Sequence, residues 1–246
     1  MKAEAVNFPQ IPFGKVFRRL ADGGTTILRA MELEVLELIR LKITGPWVDL
    51  GAGKTLSIEY ESIDHANADL TLCDIDSEQT DIMAVDLEGP LPFEDKSFDG
   101  VILSHVLQYI YNQEQLFSEI GRISRDAAII ITPYSLNYAP EVSVDYLRFR
   151  EDYLRKSLET ADFRPEIFAI AKGPFTLAVT AVEPLLIKVN LFRRMIFAVG
   201  WALDSLLMRA AHRTRHALRK RACLGYVSIG YRARPGAVDY LRSGTE

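Results

Sequence analysis

Apolar positions recur along this chain with two different periods, and the switch between them marks its elements. Ile27, Met31, Val35, Leu38 and Ile39 share one helical face with Glu37 and Arg40 off it, so the first 45 residues read as helix after an irregular start. Leu33 and Leu36 fall outside that stripe and call for a second contact. Short apolar runs that suit buried strands follow: Trp47 to Leu50, Leu70 to Cys73, Phe98 to Ser104 and Ala127 to Thr132. Helical stretches lie between them. One is brief, near Thr55 to Glu61, and another, marked by Leu107, Ile110, Leu116, Ile120 and Ile123, is open to a break at Asn112. Strands alternating with helices predict an α/β fold, a doubly wound and mostly parallel sheet with helices on both faces.

Beyond Pro133 the pattern loosens. Tyr134 to Val144 reads as a loop, Arg150 to Ala161 as a helix and Glu166 to Ala171 as a strand. Phe175 to Leu207 is unusually apolar, Leu206 to Arg221 is basic and amphipathic, and Gly225 to Ala233 alternates as a last strand. The organisation expected is an N-terminal helical segment (1–45), a core (46–173), a helical insertion (174–222) and a final strand with tail (223–246).

Composition narrows the class. The 246 residues are 48% apolar and 25% charged, which suits a folded domain with a sizeable core. Cys73 and Cys223 show neither CxxC nor Cys/His spacing, so the sequence predicts no disulfide framework and no metal site, and fits a reducing, cytoplasmic setting. Met1 to Lys15 has no apolar run of the kind a signal peptide carries. The net charge of −4 hides an asymmetry: between Arg193 and Arg221 eight cations face one acid, Asp204. The charge-free stretches there, Gly173 to Val182 and Met195 to Leu203, fall short of the roughly 20 residues that a spanning helix needs. Phe192, Ile196, Val199, Leu203 and Leu206 form a helical stripe, continued by Leu207, Ala210, Ala211, Thr214, Ala217 and Leu218, with Arg209, Arg213, Arg215, Arg219 and Lys220 opposite. That pattern fits a peripheral helix at the inner face of a membrane through residues 175–221, and equally a core helix or an oligomer interface.

Candidate chemistry begins at Val48-Asp49-Leu50-Gly51-Ala52-Gly53, a strand running into a glycine turn that lets backbone pass close to a ligand; a tight turn with no ligand has the same form. Asp74 ends the next strand, about 20 residues on, where a carboxylate takes both hydroxyls of a ribose; Asp76 is its competitor.

Val85-Asp86-Leu87, Leu91-Pro92-Phe93 and Ser97-Phe98-Asp99-Gly100-Val101, with Val106-Leu107 and Glu119-Ile120-Gly121-Arg122-Ile123 downstream, resemble class I S-adenosylmethionine-dependent methyltransferases of type 11, from about Trp47 to Pro133. The resemblance implies a Rossmann-like methyltransferase sheet and S-adenosylmethionine as cofactor. It further implies contacts from Asp49, Gly51, Ala52, Gly53, Asp74, Ile75, Asp86, Leu87 and Ser104, with Asp86 meeting the adenine amino group. Val144-Asp145-Tyr146-Leu147-Arg148-Phe149 resembles a segment of bacterial members tied to glycan or cell-envelope pathways, which implies substrate contacts from Asp145, Tyr146 and Arg148. The same segment also fits a structural cap in which Asp145 pairs with Arg148. Departures from the family pattern are Thr55, Gln108, Tyr109 and Arg125-Asp126-Ala127.

Methyl transfer from a sulfonium asks mainly for alignment and exclusion of water. For a hydroxyl acceptor His105, with its near-neutral pKa, is the candidate general base, and Tyr134 a second lining group; a His there also fits a helix cap. The expected function is methylation of a small nucleophile on a glycan or lipid-linked intermediate, with a catalytically silent membrane or partner scaffold as alternative. A nicotinamide oxidoreductase is disfavoured by the lack of a third glycine, and a nucleic-acid partner by the acidic balance.

Overall fold

The computed structural model describes residues 6–53, 57–75, 81–134, 144–186, 188–232 and 238–239. Seven strands form one sheet: β1 (Lys42–Leu50), β2 (Asp64–Asp74), β3 (Ile82–Ala84), β4 (Phe98–Ser104), β5 (Ser124–Pro133), β6 (Arg164–Ala171) and β7 (Cys223–Tyr231). Their order is β3-β2-β1-β4-β5-β7-β6, and a two-residue β8 (Val238–Asp239) pairs antiparallel with the start of β1. The β1, β2, β3, β4 and β5 ladders are parallel, while β7 runs antiparallel between β5 and β6. This is the doubly wound, mostly parallel sheet expected.

Side-chain alternation along the central strands builds two cores. On β5, Ala128 and Ile130 face one layer and Ala127, Ile129 and Ile131 the other. The first layer is covered by α3 (Gln113–Ile123) and α4 (Glu151–Thr160), the second by α1 (Phe13–Arg19), α2 (Ile27–Ile39), α5 (Pro174–Leu186) and α6 (Asn190–Ala210). A last helix, α7 (Arg215–Arg221), buries none of its residues.

The helical insertion between β6 and β7 is present as expected, but it is not one continuous stripe: α6 stops at Ala210, and a turn separates it from α7. Asn112 occupies the N-cap position of α3, so the interrupted helix is a 3-10 turn, Leu107–Tyr109, followed by α3. β1 and β2 begin well before their apolar runs, at Lys42 and Asp64, because ladder hydrogen bonding to each other carries their polar, exposed starts. On α2 the expected face is corrected at Leu38, which is 41% exposed, while Leu33 and Leu36 are buried and make the second contact. Glu37 leans outward to Lys15 and Arg19. Thr55, Asp76 and the loop 135–143 lie outside the described residues, as does Ala233.

Candidate functional site

The glycine turn is fixed by backbone. The N–H groups of Gly51 and Ala52 both donate to the Cys73 carbonyl, at 2.8 and 2.9 Å, so the turn after β1 is pinned to the end of β2. Gly51 has φ 86, and a Cβ there would lie 2.3 Å from Val106 Cγ2, which excludes any other residue. Gly53 N–H donates to Asp74 Oδ2 at 2.8 Å, so the carboxylate at the end of β2 holds the turn and faces the same region.

A cavity of about 680 Å³ opens here at the carboxyl ends of β1 and β4, lined by Asp49, Gly51, Ala52, Gly53, Tyr60 and Ser104 among others. That is where open α/β sheets bind ligands. Asp49 is buried, and burial pushes its carboxyl up to about 7 against the opposing effect of the Tyr60 hydroxyl, which donates to Oδ2 at 2.9 Å. Among the described residues its Oδ1 and the Ser104 hydroxyl have no hydrogen-bond partner. Burial likewise holds the Tyr60 phenol protonated, well above its usual range.

Beside this wall stands a charged group that no local sequence pattern announces. His105 follows β4 in a left-handed conformation, φ 55, its N–H bonded to the Ile131 carbonyl at 2.8 Å and its carbonyl accepting from Gln108 at 2.7 Å. Its Nε2 lies 2.7 Å from Oε2 of the buried Glu32 on α2, and 3.8 Å from Oε1 of Glu59, in the 3-10 turn Ile58–Ser62. Arg29, one turn before Glu32, pairs with both carboxylates and also lines the cavity. Ligand-type atoms of Glu32, Glu59 and His105 lie within 4.8 Å of one another, with the Arg29 guanidinium already supplying positive charge between the acids. A non-glycine residue held at positive φ costs about 1–3 kcal/mol, and such strain concentrates at functional sites.

The other expected site residues divide. Ile75 is 68% exposed beside Asp74, an apolar surface directed at solvent. Asp86 is exposed, its Oδ1 accepting from the Glu88 N–H at 2.9 Å. Leu87 has its side chain buried in the core, so its backbone is the part left to meet a ligand. Tyr134 packs edge-on to Tyr226 at 6.1 Å with the Arg150 guanidinium over its ring; neither it nor His105 is among the residues that line the cavity. Asp145 and Arg148 form a bidentate pair with each other, the cap arrangement, while Tyr146, 45% exposed and edge-on to Tyr111, is turned outward together with Val144 and Leu147. Arg29, Glu32, Glu59 and Tyr60 are the site residues that sequence reasoning missed. The one signal was a pair of acids, Glu32 and Glu34, inside an apolar helical run, where an unpaired carboxylate is costly.

Residues 48–132 match the family described as "Methyltransferase domain". Among curated proteins none matches the chain. Among solved structures, a chain of the Haloferax volcanii complex between the Trm112 methyltransferase activator and a methyltransferase is 14% identical, covering 91% of this chain and 98% of that one with a TM-score of 0.52. The [4+2]-cyclase SpnF is 13% identical, covering 93% and 99%, with a TM-score of 0.51. Likeness at this identity speaks for fold alone. The cofactor fits the residues present: a buried carboxylate oxygen and a hydroxyl lacking partners line a cavity beside a turn that admits only glycine at position 51, and an acid ends the neighbouring strand. Residues 48–132 thus match a methyltransferase domain, the sheet has the class I methyltransferase fold, and the cofactor that this match supports is S-adenosylmethionine.

Proposed function

We propose that the chain methylates a hydroxyl or comparable small nucleophile of a glycan or lipid-linked intermediate, with His105 as general base. When bound, S-adenosylmethionine supplies an electrophilic methyl group on sulfur. Asp49 and Ser104 would take the polar end of the cofactor, Asp74 the ribose hydroxyls, and Asp86 with Ile75 the base. His105 would take the acceptor proton. With Nε2–H donated to the Glu32 carboxylate, Nδ1 is the basic nitrogen, and Glu32 favours the protonated ring once the proton has moved. The observation that carries this reading is the strained, clamped His105 with its buried acid, next to the cavity that suits the cofactor. The glycan or lipid-linked acceptor is supported by the segment Val144 to Phe149, whose Tyr146 is exposed. Membrane contact through residues 175–221 belongs to the same reading, and its basis is argued below.

Calorimetry with S-adenosylmethionine and S-adenosylhomocysteine tests the cofactor half. Asp74→Ala should weaken both by about 1.5–3 kcal/mol, and unchanged affinity would remove Asp74 from the ribose. Turnover with hydroxyl acceptors tests the other half: His105→Ala should lower it about 10²–10⁴-fold at unchanged cofactor affinity. Cofactor binding with no turnover on any acceptor would instead favour the silent scaffold.

A further inference from the structure

The α5–α6 hairpin is built inside out. Three of its charged residues point inward: Arg193, Glu183 and Asp204 are all buried. Arg193 donates to Glu183 and to the Leu20 and Thr25 carbonyls, and Asp204 accepts from the N–H groups of Phe175 and Thr176 at the start of α5. Its outward faces are apolar. On α5, Phe175, Val182 and Leu185 are exposed, Leu185 to 82%. On α6, Phe192, Met195, Val199, Leu203 and Leu206 are each at least 40% exposed and repeat at the three- and four-residue spacing of one helix face. Of the expected stripe Phe192, Val199, Leu203 and Leu206 face out, while Ile196 packs against the core and Met195 takes its place on the outer face; the buried face of α6 is the one carrying Phe197, Gly200 and Trp201 besides the two charges. A 21-residue helix is about 30 Å long, so the exposed face is an extended plate and not a scatter of single residues.

The rim of that plate is cationic without acids. From 188 to 221 the acid is Asp204, which is buried, while Lys188, Arg209, Arg213, Arg215 and Arg221 are exposed. No helix among the described residues is long and apolar enough to cross a membrane.

We propose that this plate lies on a negatively charged lipid bilayer, the apolar faces of α5 and α6 entering the interface and the arginines around α7 meeting lipid phosphates. The charge decides the occupant. A second copy brings the same acid-free cationic rim and would repel it, whereas an anionic lipid surface attracts each of these cations and accepts apolar side chains at the same depth. The inference rests on the membrane part of the function proposed above and goes further by naming the surface and the lipid charge. It fails separately from methyl transfer, because the plate shares no residue with the cavity.

The full-length protein, co-sedimented with vesicles of phosphatidylcholine alone or mixed with phosphatidylglycerol, tests it. Binding is expected to the mixed vesicles only and to weaken with salt. The triple variant Phe192→Ser, Met195→Ser, Leu206→Ser should lower it at least about tenfold, and Arg213→Glu with Arg215→Glu at least about 25-fold, about fivefold for each cation lost near the surface. S-adenosylhomocysteine affinity and circular dichroism, unchanged in both variants, show that the fold is intact. Absence of binding at low salt overturns the proposal, as does binding that neither variant reduces. A concentration-dependent dimer that the serine variant dissolves, with no vesicle binding, also overturns it and assigns the plate to a second copy. Should only the serine variant misfold, the charge variant carries the same decision.

Discussion

Helices α3 and α4 and helices α5 and α6 are all amphipathic, yet they seat their faces in opposite senses. On α3 and α4 Leu116, Phe117, Ile120, Leu154 and Leu158 are buried, and Glu114, Asp152 and Lys156 are turned to solvent. On α5 and α6 Glu183, Arg193 and Asp204 go in, and Phe175, Leu185, Phe192, Met195, Leu203 and Leu206 stay out. A helical period establishes that a helix has two faces; it does not say which of them is the inside. That choice is made by partners at a distance. Arg193 satisfies carbonyls on the N-terminal segment, and Asp204 takes the first N–H groups of α5, so the charged face is the one with somewhere to bond. Apolar residues left outside lose burial that the sheet-flanking helices gain, and an apolar covering restores it.

The comparison is most severely tested at Arg193. Arg193→Ala strands the buried Glu183 and unbonds two carbonyls, so chemical denaturation should show a loss of about 3–5 kcal/mol. Burial pushes the Glu183 carboxyl up to about 7, above its usual range, so the folded state holds that proton longer than the unfolded chain does and the carboxyl's contribution falls as pH rises through about 7. The loss in the variant should therefore be greater at pH 8 than at pH 5. An equal or smaller loss than at an exposed arginine would show that the inward charges do not hold the hairpin.

Next comes the conventional side. Ile129→Ala, in the middle of β5, should cost about 2–5 kcal/mol by the same denaturation. At the site, Asp49 stands with its carboxyl pushed up to about 7, and a cofactor ammonium favours its ionised form. Calorimetric affinity for S-adenosylhomocysteine should therefore rise by up to about tenfold per pH unit toward pH 7 and then level, with a proton released on binding; Asp49→Asn should flatten that slope. The smallest effect sharpens the contrast with Ile129: Leu185→Ser removes a comparable apolar group from the plate, and without lipid its stability should stay within about 0.5 kcal/mol of the parent.

What was legible in the sequence is what is local. The turn from Gly51 to Gly53 and the acid at Asp74 are read from a strand that ends in residues with special backbone needs, and the structure brings them together through one N–H donor. The strands β4 and β5 are read from unbroken apolar runs because both their faces are covered. The Glu32 to His105 contact was not legible, since it spans 73 residues and joins a helix to a strand end through a single hydrogen bond. The partner of Tyr134 was not legible for the related reason that being next to a strand's carboxyl end does not fix which way a side chain turns, and its ring meets Tyr226, 92 residues on.

The order in which the molecule can be completed follows from one bond. The first N–H of α2, at Ile27, donates to Glu183, 156 residues later, and Arg193 reaches back 173 residues to Leu20. During synthesis the first turn of α2, capped locally by Thr26, therefore gains its Glu183 partner only when α5 and α6 have been made and have closed a loop of 156 residues, a slow and entropically costly step. Because α2 carries Arg29 and Glu32, the wall of the site waits on residues that precede only α7, β7 and the tail in the chain, and a chain halted before residue 183 would possess the glycine turn but not the acid that seats the wall opposite.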